Sequence, residues 1–117
     1  MIRGTTPTHT FTLPFAPPEG SEYRIVYAQG GDYNEKILFE IVTDRLSIND
    51  RVLSVKLTQA ETLQFECSRV YTNGSYSPFP VKIQVGVETP GGDVLWSDII
   101  TTTVERCLRK DGAVCDG

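Results

Sequence analysis

Long apolar runs are missing from this chain. No stretch reaches the roughly 18 apolar residues that a membrane-spanning helix needs. The opening Met-Ile-Arg-Gly-Thr-Thr-Pro-Thr-His-Thr lacks the apolar centre of a secretion signal. The expectation is a protein with no membrane partner, kept in a cytoplasm or released by a route such as cell lysis. Basic clusters are missing too. Net charge is −4, and the densest positive spot is Arg106, Arg109 and Lys110. Nucleic-acid binding leans on phosphate neutralisation, so a nucleic-acid partner is not expected. There is one histidine, His9, and no spacing that pairs two carboxylates or a nucleophile with a base. That excludes most acid–base and covalent catalysis, so no enzyme is expected. Gly30-Gly31-Asp32 shares two glycines with a phosphate loop but has neither its lysine nor its helix, and no cofactor is expected. Cysteines number three, at Cys67, Cys107 and Cys115, too few and too scattered for a zinc site. Either all three are reduced thiols, or Cys107 and Cys115 pair locally and Cys67 stays free.

What the chain does have is alternation. With 39% hydrophobic and 22% charged residues it is apolar enough to fold, and 117 residues suit one core. Val81, Ile83, Val85 and Val87 alternate with Lys82, Gln84, Gly86 and Glu88. A period of two puts the four branched side chains on one strand face. Pro90-Gly91-Gly92-Asp93 is turn chemistry, and residues 94–104 are rich in β-branched types, so residues 81–104 predict a β-hairpin. Upstream, His9, Phe11 and Leu13 share one parity while Thr8, Thr10 and Thr12 share the other. Pro7 and Pro14 bracket this stretch and place it at a sheet edge. Tyr23, Ile25 and Tyr27 mark a second strand. Ile37, Phe39 and Ile41 mark a third, whose other face carries Leu38 and Val42, which suggests a central position. Leu46 and Ile48 suggest a short strand, Asn49-Asp50 a tight turn, and Leu53, Val55 and Leu57 another strand. Thr58 and Glu61 have the spacing of a capping box, which predicts a single helical turn pinned by Leu63 and Phe65.

Residues 71–80 are the most loop-like. They hold Tyr71, Tyr76 and Phe79, and exposed aromatics on loops suit binding surfaces; folding back onto the core is the other reading. Asn73-Gly74-Ser75 matches a glycosylation acceptor, of no consequence without secretion. Trp96 is read as a plug in the core or on a sheet face, or as a ligand platform beside those aromatics. The candidate contact residues are thus Tyr71, Tyr76, Phe79 and Trp96. Asp98 shares the parity of Trp96, Ile100 and Val104, which suggests a bulge or a hydrogen bond to backbone. His9 reads as a partly exposed strand histidine rather than a base or ligand.

About seven or eight short strands, with turn signals roughly every eight to twelve residues, predict a single immunoglobulin-like β-sandwich over residues 1–108. Residues 109–117 read as a polar tail. Three stretches carry a resemblance: Met-Ile-Arg-Gly-Thr-Thr-Pro-Thr-His-Thr-Phe-Thr-Leu-Pro-Phe at 1–15, Ser-Val-Lys-Leu-Thr-Gln-Ala-Glu-Thr-Leu-Gln-Phe at 54–65, and residues 81–85 with 97–108. Together they resemble a family of small uncharacterised proteins encoded in phages and prophages of gut Firmicutes. More loosely, the chain is similar to the N-terminal domain of phage baseplate upper proteins. Residues 16–51 and 71–80, and the tail, are less alike. The resemblance implies a virion component, made in the host cytoplasm, that contacts other virion proteins in a symmetric homo-oligomeric assembly. It implies no catalytic, cofactor or metal residues. The competing expectation is a carbohydrate- or receptor-binding module built on the aromatic residues.

Overall fold

The structure, a computed structural model, describes residues 1–30, 35–66 and 80–104, and the backbone pairing of two short strands at 69–70 and 76–77. Its centre is strand β8 (Pro80–Glu88), whose alternation works as expected: Val81, Ile83, Val85 and Val87 are all buried. β2 (Glu22–Gln29) pairs antiparallel along one flank of β8 and turns Tyr23, Ile25 and Tyr27 to the same face. β3 (Lys36–Val42) pairs with β2, and β9 (Val94–Trp96) and β10 (Ile100–Thr103) lie end to end on the other flank of β8. This makes an antiparallel five-stranded sheet.

A three-stranded antiparallel sheet packs against it in a sandwich-like arrangement. Its order is β1 (Thr8–Thr12), β5 (Val52–Lys56), β4 (Ser47–Asn49). Leu53 and Val55 of β5, and Leu57 beyond it, join the inner face of the larger sheet in one core cluster, with Phe11 against its side. The β4–β5 turn places Asp50 at φ 57°, a left-handed conformation that aspartate tolerates better than most residues. Strands β6 (Arg69–Val70) and β7 (Tyr76–Ser77) form a separate pair, so part of the stretch read as loop is strand.

The chain crosses between sheets at residues 57–66. There helix α1 (Gln59–Thr62) forms with the expected capping box: Thr58 Oγ1 accepts from the Glu61 amide, and the Glu61 carboxylate accepts from the Thr58 amide. Arg45, at the end of a 3₁₀ turn (Thr43–Arg45), donates to the same carboxylate from both terminal guanidinium nitrogens. Burial pushes the Glu61 carboxyl up, but the bonds from Arg45 and Thr58 outweigh it and hold the group below its ordinary value. Arg3 donates to the Leu63 and Phe65 carbonyls, and the Thr62 hydroxyl to the Thr5 carbonyl, so the N-terminal segment closes the helix end. Buried Gln29 completes the crossing. Its side-chain amide donates to the Glu66 carbonyl at 2.9 Å and accepts from the Glu66 amide at 2.8 Å, as a strand neighbour would.

Three expectations need correction. Among the described residues β3 is an edge strand, not central. Tyr27 pairs with Phe39 but Ala28 pairs with Ile37, so Leu38 is an extra residue, and Ile37 swings to the outer face at 58% exposure. The strand count is ten among the described residues, because the second arm of the hairpin is split into β9 and β10 and the stretch read as loop contributes β7. The third correction concerns the second arm of the hairpin, whose parity is not constant.

Candidate interaction surface

That arm begins after a tight connection. Thr89 accepts from the Gly92 amide at 2.9 Å, and Gly92 takes φ 92°, open to glycine without a Cβ clash. Trp96 then pairs with Gly86 and Leu95 with Val87, but further on Ile100 pairs with Ile83. Three residues, Ser97 to Ile99, therefore oppose two, Gln84 and Val85. Ser97 secures this bulge. Its amide donates to the Val85 carbonyl at 2.8 Å, its hydroxyl accepts from the Val85 amide at 3.0 Å, and its carbonyl accepts from Gln84 Nε2 at 2.9 Å. A bulge was the reading of Asp98, but the serine before it does the bonding.

The bulge inverts the faces. Trp96 and Val94 stand on the outer face of the sheet, while Ile100, Thr102 and Val104 turn inward with Ile83 and Val81. Trp96 and Ile100, equal in parity, lie on opposite sides. Only Val104, at the end of the arm, is buried. Val94, Leu95, Trp96, Ile99 and Ile100 are all exposed, from 43% to 57%. Leu95 and Ile100 pair with inward-facing Val87 and Ile83, so they lie on the inner side of the sheet, yet both remain exposed. An opening of about 230 Å³ separates β1 from β10 there.

Trp96 takes its place from a missing atom. The indole lies flat across Gly86, and a Cβ on that glycine would come within 2.6 Å of the ring. On the outer face one cross-strand row runs Trp96, Gly86, Arg24, Val42, and the next runs Val94, Glu88, Glu22. These rows line a shallow groove of about 160 Å³. Trp96 is thus a sheet-face residue rather than core, and 49% exposed. Arg24 reaches toward Glu40 at 3.8 Å, a surface pair. Glu22 and Glu88 sit directly opposite each other.

His9 is the one titratable group of the opening beside β1. It is half-buried, with Nδ1 2.8 Å from the Tyr27 hydroxyl and its ring stacked 5.8 Å from the tyrosine ring. Burial, and then the N-terminal ammonium, hold the imidazole below its ordinary pKa; burial pushes the Tyr27 phenol far up. The pair clasps the two sheets together; Phe39 stacks on Tyr27 at 4.8 Å, and Phe65 lies tilted against it at 6.1 Å. The partly exposed strand histidine is what the alternation of β1 implied. Its tyrosine partner, 18 residues away, had no signal beyond a shared inward parity.

Of the candidate contact residues, Trp96 is brought to the surface. Tyr71 and Phe79 lie outside the described residues, as do the side chain of Tyr76, the three cysteines, Asn73-Gly74-Ser75 and the tail at 109–117. The exposed aliphatics beside Trp96 went unread, because in sequence they are indistinguishable from core. No family profile, curated protein or solved structure matches the chain.

Proposed function

We propose that this chain is a non-enzymatic structural protein of a phage particle, an accessory of the tail, baseplate or head that works by protein–protein contacts in a symmetric assembly. One observation carries the contact reading: five large apolar residues within residues 94–100 are exposed together along one edge of the larger sheet. Lone apolar residues on a surface are ordinary, whereas a contiguous group marks an interaction site. Its partners are other virion proteins, further copies of the chain among them, and sheet edges are suited to repeated docking of this kind. The phage setting rests on the resemblance of residues 1–15, 54–65, 81–85 and 97–108. We read the two-sheet arrangement as an immunoglobulin-like sandwich, a reading supported by the helical crossing at residues 57–66. The protein would reside in the virion, and in the host cytoplasm during assembly. Mass spectrometry of purified particles tests this: the chain should be present in many copies per particle, and its absence would reject a structural role.

The alternative is a carbohydrate- or receptor-binding module. The half-exposed indole on Gly86, with Arg24, Glu22 and Glu88 alongside, supports it, since a sugar ring stacks on an aromatic face while its hydroxyls bond to charged neighbours. A glycan array should then give binding that Trp96→Ala abolishes; an array with no retained glycan would reject this reading.

A further inference from the structure

We propose that the groove beside Trp96 receives the basic segment at residues 106–110 of a second copy of this chain, so that the protein self-associates tail to sheet. The inference rests on the contact reading above and supplies the partner's chemistry.

The groove sets two carboxylates, Glu22 and Glu88, against one guanidinium, that of Arg24. Glu22 and Glu88 are direct cross-strand neighbours, and like charges so placed repel. Among the described residues neither carboxylate makes an ion pair or a hydrogen bond, and Arg24 leans toward Glu40 on the far side. On the near side stands the face of Trp96, an electron-rich surface that attracts cations. A guanidinium suits both walls. It can fork onto a carboxylate through two parallel hydrogen bonds and stack its plane on the indole. At about 160 Å³ the groove takes one such head group, being well below the roughly 300 Å³ at which drug-sized pockets begin. Val94 and Val42 at its rim would cover an aliphatic stem or an apolar neighbour.

The chain itself holds a segment of that chemistry. Arg106, Arg109 and Lys110 are its densest positive spot, with Leu108 among them. Geometry favours another copy as the donor. The tail leaves from Val104, just past Thr103, which pairs with Pro80 at one end of β8; Glu88 and Val94 pair at the other. Eight residues of strand separate these ends, about 26 Å. Arg106 and Arg109 follow Val104 by two and five residues and extend at most about 7 and 18 Å from it. The chain's own segment could approach its own groove only fully stretched along the sheet, whereas a second copy has no such limit. Reciprocal exchange closes a two-fold dimer; one-way exchange closes a ring.

Sedimentation velocity of the full chain tests this, with E22K/E88K, R106E/R109E/K110E and an equimolar mixture of the two. All are first checked for an unchanged melting transition; should the first pair not fold, E22Q/E88Q replaces it, without the mixture. The full chain should self-associate at low ionic strength and loosen as salt rises. Each reversal alone should weaken association at least about tenfold, and mixing the two should restore it in a mixed complex. A full chain that is monomeric throughout, an oligomer that survives both reversals, or a mixture that stays apart would overturn the inference. A chain present in virions yet monomeric in solution loses this inference and keeps the structural reading. A tail-dependent oligomer absent from particles does the reverse.

Discussion

The two arms of one hairpin have much the same composition and opposite fates. β8 puts Val81, Ile83, Val85 and Val87 into the core, while the arm after the turn leaves Val94, Leu95, Trp96, Ile99 and Ile100 in water. Hydrophobicity does not separate them, and neither does strand propensity. Position does. β8 lies mid-sheet, its inner face in one core cluster with Leu53 and Val55 of β5; β9 and β10 lie, among the described residues, at the margin of the five-stranded sheet. The Ser97 bulge widens the contrast by sending Trp96 outward and Ile100 inward, so both faces of the edge carry apolar groups. Burial is a property of what lies opposite, and we propose that an apolar strand left open among the described residues serves as a contact surface.

The sharpest way to break this comparison is to truncate one residue on each arm. Ile83, buried on β8 and paired with Ile100, should cost about 2–5 kcal/mol as Ile83→Ala; Ile100→Ala should cost under about 1 kcal/mol. Urea unfolding followed by circular dichroism measures both, and equal losses would mean the outer arm is core after all. A smaller effect is expected at the junction of the arms. Gly86→Ala drives a methyl into the indole and should cost about 1–3 kcal/mol. It should also move Trp96 fluorescence toward the red, an unambiguous signal because this is the only tryptophan. Emission that does not shift would show that the ring does not rest there. Third in size is the crossing behind β5. Thr58→Ala removes the helix cap and should cost about 1 kcal/mol in the same unfolding experiment; a neutral result would make the cap ornamental.

The smallest effect is a pH dependence at the covered margin, where His9 meets Tyr27. Its pKa is lowered in the folded state, so between that value and about 6.5 the unfolded chain binds the extra proton. The stabilising contribution is therefore complete above about pH 6.5 and is lost as pH falls through the folded value. A neutral imidazole can accept a hydrogen bond from the phenol at Nδ1; the imidazolium cannot. Melting temperatures from pH 7.5 to 5 should fall less steeply in His9→Gln than in the parent, and parallel slopes would remove His9 from the account.

Much of this was legible in the residues. The alternation in β1, β2, β5 and β8, the glycine turn at Gly92, the helical turn capped by Thr58 and Glu61, and the inward parity of His9 all follow from local periods and local hydrogen bonds. What was not legible depends on register between distant strands. The Leu38 bulge exists only relative to β2, and the Ser97 bulge only relative to β8. Each turned a constant parity into a wrong face, for Ile37 and for Trp96 against Ile100. The groove was hidden for the same reason. Trp96, Gly86, Arg24 and Val42 span residues 24–96 and become one row only when four strands are in register.

The most direct test of the central claim, that the β9–β10 edge is a contact surface and not poorly covered core, is particle incorporation of a chain carrying Leu95→Gln and Ile99→Asp. Virions assembled with it are purified, and the chain in them is quantified against the parent by mass spectrometry, with the melting temperature of the isolated protein measured alongside. The expected result is a melting temperature within a few degrees of the parent, roughly what a surface change costs, and a chain largely lost from the particles. Full incorporation of a stably folded variant would contradict the account.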